Sequence, residues 1–271
     1  MRTSLAAITG LNSSEFEIVT EDVGGSFGLR GGPTTEHGLL VLAANQLKRP
    51  IKWVAQRSEL FIGEWHGRGL TLAGSIALDS NDRITAIQFE DTVDLGAYNC
   101  YFGGFIGTGN LSVTMGGAYQ VPALYMRSTL VYTNTVPVSA YRGAGRPDIA
   151  YAIERLVDQA VAEHHLDPVD FRRKNFIPRD AFPYTTANGS EYDCGDFNRV
   201  MDKALELSDY SNFKQRFEQS RQRGKVRGLG LGYYLEKSGA GGAPKDEVSG
   251  RFGADGSLCL LYTSPSPRDR G

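Results

Sequence analysis

Apolar and polar positions alternate most regularly over residues 70–78 and 84–93, the pattern of two half-buried strands. The residues between them, Asp79-Ser80-Asn81-Asp82-Arg83, carry turn chemistry, so the pair is predicted as a β-hairpin. Helical periodicity takes over at 147–166, where Ile149, Ile153, Leu156, Val157, Ala160 and Val161 recur on one face. Pro147 and Asp148 suit its first turn. A second helix is predicted over 33–47, with Leu39, Leu40, Ala43, Ala44 and Leu47 as its buried face and Pro50 ending it. Shorter helices are expected at 3–10, 167–175, 195–207 and 209–222. Further strands are expected at 15–20, 51–54, 126–134, 228–235, 247–252 and 258–262, while 96–120 lacks a period and reads as a long wrapped segment. Hairpins and helices mixed without a regular βαβ rhythm predict an α+β fold.

Glycine changes this picture. The chain has 33 in 271 residues, concentrated at 24–32, 103–117, 143–145 and 228–242. Each glycine weakens ordered backbone by roughly 0.5–1 kcal/mol relative to alanine, so the dense loop at 24–32 does not serve stability. It permits positive φ and bares backbone N–H groups to an anionic or flat ligand, and Phe27 adds a planar face; a flexible surface turn is the plainer alternative. A second loop, Ala140-Tyr141-Arg142-Gly143-Ala144-Gly145-Arg146, has the same character. Both loops precede predicted helices, whose first N–H groups attract anions. Arg142, flanked by small residues, offers forked donors to an oxygen-rich group, or else is a solvated charge, as is Arg146; Tyr141 reads as core packing. On these residues alone the chain binds an anionic, extended, partly planar ligand.

Composition narrows the alternatives. A net charge of −2 with interspersed signs points to neither nucleic acid nor an anionic membrane surface. No apolar run reaches the roughly 18 residues of a membrane span, so a soluble protein is expected. Cys100, Cys194 and Cys259 are widely spaced, which suits a reducing, cytoplasmic setting and forms no metal site. His164 and His165 read as surface residues. Glu21, Asp22, Glu36 and Asp94 lie near the loops without forming a recognisable catalytic pair, and surface roles are expected for them. Trp65-His66-Gly67-Arg68 reads as loop packing that could border a pocket. There is no P-loop, no dinucleotide fingerprint within a βαβ unit, no serine elbow and no HExxH.

Asp22-Val23-Gly24-Gly25-Ser26-Phe27-Gly28 resembles the D-V-G-G-G-F-G loop of the molybdopterin-binding large subunits of the xanthine dehydrogenase, aldehyde oxidase and carbon monoxide dehydrogenase superfamily. Ala140-Tyr141-Arg142-Gly143-Ala144-Gly145-Arg146-Pro147 is similar to the A-Y-R-G-A-G-R-P pattern of its form II members. Order agrees as well, through Arg57-Ser58-Glu59, Asp94-Leu95-Gly96-Ala97-Tyr98, Asp167-Pro168 and Arg172-Arg173-Lys174-Asn175, over roughly 3–260. The resemblance implies a molybdenum hydroxylase that hydroxylates an aldehyde or N-heterocycle with oxygen from water. It implies a molybdenum–molybdopterin cofactor in its cytosine dinucleotide form, touched by Gly25, Ser26, Phe27, Gly28, Arg142, Gly143 and Ala144. The metal is then held by the pterin dithiolene, with no direct protein ligand. Implied partners are an iron–sulfur small subunit and an FAD-binding medium subunit, in a dimer of heterotrimers.

Three departures qualify that expectation. Gly143 stands where CO-oxidising members carry a cysteine for copper. Gly31 stands where purine-oxidising members carry a substrate-binding glutamate. The catalytic base of the family, a glutamate, is expected outside this chain, so no catalytic residue is assigned. Residues 1–260 are therefore expected to form a partial molybdopterin-binding domain, inactive alone; the serine-, proline- and arginine-rich 261–271 reads as a tail, either ordinarily disordered or of non-native sequence.

Overall fold

The computed structural model describes residues 1–20, 23–236 and 248–262. In chain order these form α1 (Arg2–Thr9), α2 (Thr35–Leu47), α3 (Arg57–Gly63), β1 (Leu70–Leu78), β2 (Ile84–Asp94), α4 (Gly103–Phe105) and β3 (Ala123–Val131). They continue through α5 (Arg146–Glu163), α6 (Pro168–Asn175), β4 (Tyr184–Thr185), β5 (Glu191–Tyr192), α7 (Phe197–Leu207), α8 (Phe213–Gln222), β6 (Val248–Phe252) and β7 (Leu258–Tyr262). The fold is α+β, as the mixed periodicities predict.

The central sheet has the order β1-β2-β3, with β1 antiparallel and β3 parallel to β2. A parallel neighbour demands a crossover, and residues 95–122 supply it. That segment, expected to be aperiodic, contains α4 and a π-helical turn at Ile106–Asn110. It then delivers Leu111, Met115, Tyr119 and Val121 to the core. β2 alternates strictly: Ile87, Phe89, Asp91 and Val93 are buried while their neighbours face out. Gly74 on β1 matters here, because a Cβ would lie 2.6 Å from the Phe89 ring and 2.9 Å from Leu156 of α5.

α5 lies against this sheet. Ile149, Ile153, Val157, Ala160 and Val161 are buried, each large aliphatic contributing roughly 1.5–3 kcal/mol, while Leu156 is half-buried. α6 starts on Asp167, whose Oδ1 accepts from Val169 N and Asp170 N, at 2.8 and 2.9 Å. Its last residue, Asn175, is buried and accepts from Ile84 N at 2.8 Å while donating to the Asp82 carbonyl at 3.0 Å. One amide thus locks α6 to the β1–β2 turn.

Several expectations fail. Residues 15–20, 51–54 and 228–235 belong to no strand. A strand needs a ladder partner for its backbone groups, and none lies beside these segments among the described residues. The predicted apolar face of α2 is only partly covered: Leu40, Ala43 and Ala44 are half-buried, Leu39 is 60 % exposed and Leu47 53 %, and only Gly38 is enclosed. α3 and the short β4–β5 pair escape prediction because they are too brief to show a period. Glu21, Asp22 and the 263–271 part of the tail lie outside the described residues.

Candidate functional site

The two glycine loops, more than a hundred residues apart in sequence, meet in space. Arg142 N donates to the Phe27 carbonyl at 2.9 Å, and a Cβ on Gly28 would sit 3.0 Å from the Ala140 carbonyl oxygen. Gly28 has φ +96° and Gly25 φ +102°, and between them Phe27 itself is left-handed at φ +54°. Strain of this kind in a non-glycine residue costs on the order of 1 kcal/mol and is held by its surroundings. The N–H groups of Gly25, Ser26 and Gly28 have no acceptor among the described residues.

The second loop is a tight device. Ala144 N donates to the Tyr141 carbonyl at 2.6 Å, closing a four-residue turn with Gly143 at its third position and φ +88°. Positive φ at that position is the type II arrangement that glycine favours. Ala144 (φ +48°) and Gly145 (φ +90°) follow, and Gly145 caps α5. A Cβ on Gly145 would lie 2.5 Å from the Ile106 carbonyl oxygen, so the π-helical turn packs on loop backbone. Asn110 of the same turn donates to the Ala144 carbonyl. The N–H groups of Gly143 and Gly145 have no acceptor among the described residues, and the Arg142 guanidinium is exposed.

A cavity of about 840 Å³ opens beside this loop, lined by Tyr141, Arg142, Gly143, Tyr151, Glu154 and the 232–236 segment. That segment is fixed by side chains instead of a ladder. Tyr233 N donates to Glu154 Oε2 at 2.9 Å, Arg172 donates to the Leu231 carbonyl at 3.0 Å, and Arg146 pairs with Glu236 at 2.6 Å. Arg172 is fully buried and also bonds Glu154 through Nε at 3.0 Å and Nη2 at 2.8 Å, and Asp158 at 2.8 Å. Tyr119 donates its hydroxyl to the other Glu154 oxygen, and burial together with that negative charge holds its phenol well above the usual range.

Two carboxylates are perturbed nearby. Asp91, buried on β2 with Oδ1 meeting no donor among the described residues, is pushed up to about 6 by burial, against a hydrogen bond from Ser128 and with help from the charge of Asp148. Asp148 in the first turn of α5 is also raised by burial, offset by Arg68.

Of the expected site residues, Gly25, Ser26, Phe27 and Gly28 lie in one loop and Arg142, Gly143 and Ala144 in the other, and the Phe27–Arg142 hydrogen bond joins the two loops. Tyr141 is not core: it is 40 % exposed, with the Arg68 guanidinium 5.2 Å above its ring. Asp94 is a local turn acceptor, bonded by Gly96 N at 2.7 Å and Thr133 Oγ1 at 2.6 Å. His164 and His165 are exposed. Sequence reasoning missed Glu154, Asp91 and Arg172. Two of them carry a signal: Glu154 and Asp91 are charges at inward positions of an otherwise apolar stripe, and such residues are buried only when partnered or perturbed.

The family model for the molybdopterin cofactor-binding domain matches residues 1–176. The chain belongs to that family, within the superfamily of molybdopterin-binding large subunits that the two loops resemble. It is similar to the nicotine 6-hydroxylase large subunit of Paenarthrobacter nicotinovorans, 31 % identical over 267 residues, covering 95 % of this chain and 31 % of that one. It is similar to the carbon monoxide dehydrogenase large chain of Hydrogenophaga pseudoflava, 31 % identical over 257 residues, covering 92 % and 32 %. Among solved structures, quinoline 2-oxidoreductase from Pseudomonas putida 86 superposes with a TM-score of 0.90 at 29 % identity, covering 98 % of this chain and 36 % of that one. The chain spans about a third of the length of these relatives. Among the described residues, no helix is long and apolar enough to cross a membrane.

Proposed function

We propose that this chain supplies one part of the cofactor cleft of a molybdenum hydroxylase, an oxidoreductase acting on an N-heterocycle or an aldehyde. The observation that carries the reading is the joined pair of loops, with bare N–H groups on both and an exposed Arg142 at an open cavity, in a chain of the molybdopterin-binding family. The donor set suits an oxygen-rich, partly planar group: amides and a guanidinium favour phosphate and pterin oxygens, and carboxylates nearby are already engaged by Arg68, Arg146 and Arg172. Molybdenum–molybdopterin, in its cytosine dinucleotide form, supplies the oxidative hydroxylation when bound, with water as the oxygen source.

The chain's own residues bind and orient. The backbone of Gly25, Ser26, Phe27 and Gly28 lines one side of the group, with glycine letting it approach the main chain. Arg142, Gly143 and Ala144 line the other, the guanidinium neutralising anionic oxygen. Residues 1–260 act here as a partial molybdopterin-binding domain. Two relatives named for nicotine and quinoline favour a heteroaromatic substrate. Gly143 offers no thiol for copper and Gly31 no carboxylate for a purine, which disfavours CO and xanthine. Electrons leave through an iron–sulfur small subunit and an FAD-binding medium subunit, in a dimer of heterotrimers, in the cytoplasm.

Metal and pterin analysis of the full-length gene product tests this. One molybdenum with one pterin per chain is expected; a well-folded product without molybdenum means a non-catalytic homologue and overturns the reading.

A further inference from the structure

We infer that Arg68 is a positioning residue for the second loop, the side chain that holds the Arg142–Gly143 peptide in one orientation; the inference rests on the cofactor reading above. Arg68 lies just before β1 and far from the loop in sequence, yet its guanidinium reaches it at three points. Nη2 donates to the Arg142 carbonyl at 2.7 Å, Nη1 to Asp148 Oδ2 at 3.3 Å, and the group lies over the Tyr141 ring at 5.2 Å. These three partners bracket the glycine turn from its first residue to the first turn of α5.

The consequence follows from peptide geometry. In the turn from Tyr141 to Ala144, the central peptide joins Arg142 to Gly143, and glycine there lets that peptide rotate between two turn types at small cost. A trans peptide is planar, with C=O and N–H on opposite edges. Holding the Arg142 carbonyl therefore directs the Gly143 N–H away from Arg68, and Gly143 N has no acceptor among the described residues. Arg142's own N–H, bonded to Phe27, fixes the preceding peptide to the first loop. Between them, Arg68 and Phe27 set both peptides that flank the Arg142 side chain.

The local backbone is built to present Arg68 this way. Arg68 adopts φ +67°, a left-handed conformation that a long side chain rarely takes. Gly67 before it is obligatory, because a Cβ would lie 2.4 Å from Tyr141 Cβ. His66 is tied on both sides, its N–H to the Pro137 carbonyl at 2.9 Å and its carbonyl to Ser139 N at 2.7 Å, in a parallel bridge with Val138. So the segment 66–68 is pinned beside 137–139, with the strained residue aimed at the loop that follows.

The test compares wild-type, Arg68→Met and Arg68→Lys in the full-length gene product, reading amide exchange by peptide, molybdenum content and thermal unfolding. Arg68→Met is expected to speed exchange across 141–148 by about tenfold, without change in the peptides of α5's second half or of β2. Its molybdenum content should fall about 10-fold, the scale of losing a partner that orients a ligand, and Arg68→Lys, which keeps one donor, should recover part of both. Exchange across 141–148 within twofold of wild-type overturns the inference, and so does loss of protection throughout α5 and β2, which would make Arg68 a general stability residue. A wild-type product without molybdenum overturns the proposed function instead, and the exchange comparison then decides alone whether Arg68 holds the loop.

Discussion

Helices α2 and α5 both carry an apolar stripe in sequence, and each follows a glycine loop, but only α5 buries its stripe. Ile149 and Val157 are fully enclosed, whereas Leu39 of α2 is mostly open. α5 has the sheet on one side and α6 beside it, while α2 rests mainly on the short α1. The difference is one of supply: periodicity says which face of a helix seeks cover, and tertiary neighbours decide whether cover exists. It also makes the supports of the two glycine loops unequal. The Arg142 loop leads into a helix whose apolar side is enclosed, and the Phe27 loop into one whose apolar side is partly open.

That inequality can be broken experimentally, beginning at α5. Glu154→Ala strands the buried Arg172 guanidinium; Asp158 retains one contact, so a loss near the lower end of the ~3–5 kcal/mol range is expected in urea unfolding. Ile153→Ala, at 1 % exposure, leaves a cavity between helix and sheet and should cost about 3 kcal/mol. Asp91→Asn should act in the opposite direction. Its carboxyl titrates at about 6 folded and 3.8 unfolded, so between those values the folded state holds a proton that the unfolded state releases, and stability falls as pH rises. Removing the charge should raise stability at pH 7 by roughly 1 kcal/mol and flatten that slope, as unfolding measured across pH 4–7 will show. Smallest is Leu39→Ala on α2, expected within about 0.5 kcal/mol of wild-type. A large loss there would mean that α2 is as firmly held as α5.

Much of this architecture is legible in the residues. The β1–β2 hairpin follows from strict alternation and an aspartate-rich turn, and α5 from its stripe and its proline start. The loops announce themselves by glycine density, although their contact cannot be read from spacing, since the Phe27–Arg142 bond depends on tertiary packing. Strands expected at 15–20, 51–54 and 228–235 show the limit of local pattern: β-propensity describes a surface that fits a sheet, and the sheet must be there. Glu154 is hard to single out because a helix carries surface carboxylates routinely; only its position between Ile153 and Val157 distinguishes it. Tyr141 shows the converse, an aromatic ring that faces a cation at the surface and not the core.

The 231–236 segment beside the cavity is bonded to residues 79 and 59 positions earlier in the chain, Tyr233 to Glu154 and Leu231 to Arg172. Both bonds require α5 and α6 in their docked places, since Glu154 lies on one helix and Arg172 on the other. Occupancy of the cavity and folding of the core are therefore thermodynamically linked. A molecule seated against Tyr233 and Tyr234 raises the free energy of unfolding in proportion to the logarithm of its concentration, and the coupling is the same read in either direction. The melting temperature of this chain is thus a direct assay for whatever fills the cavity.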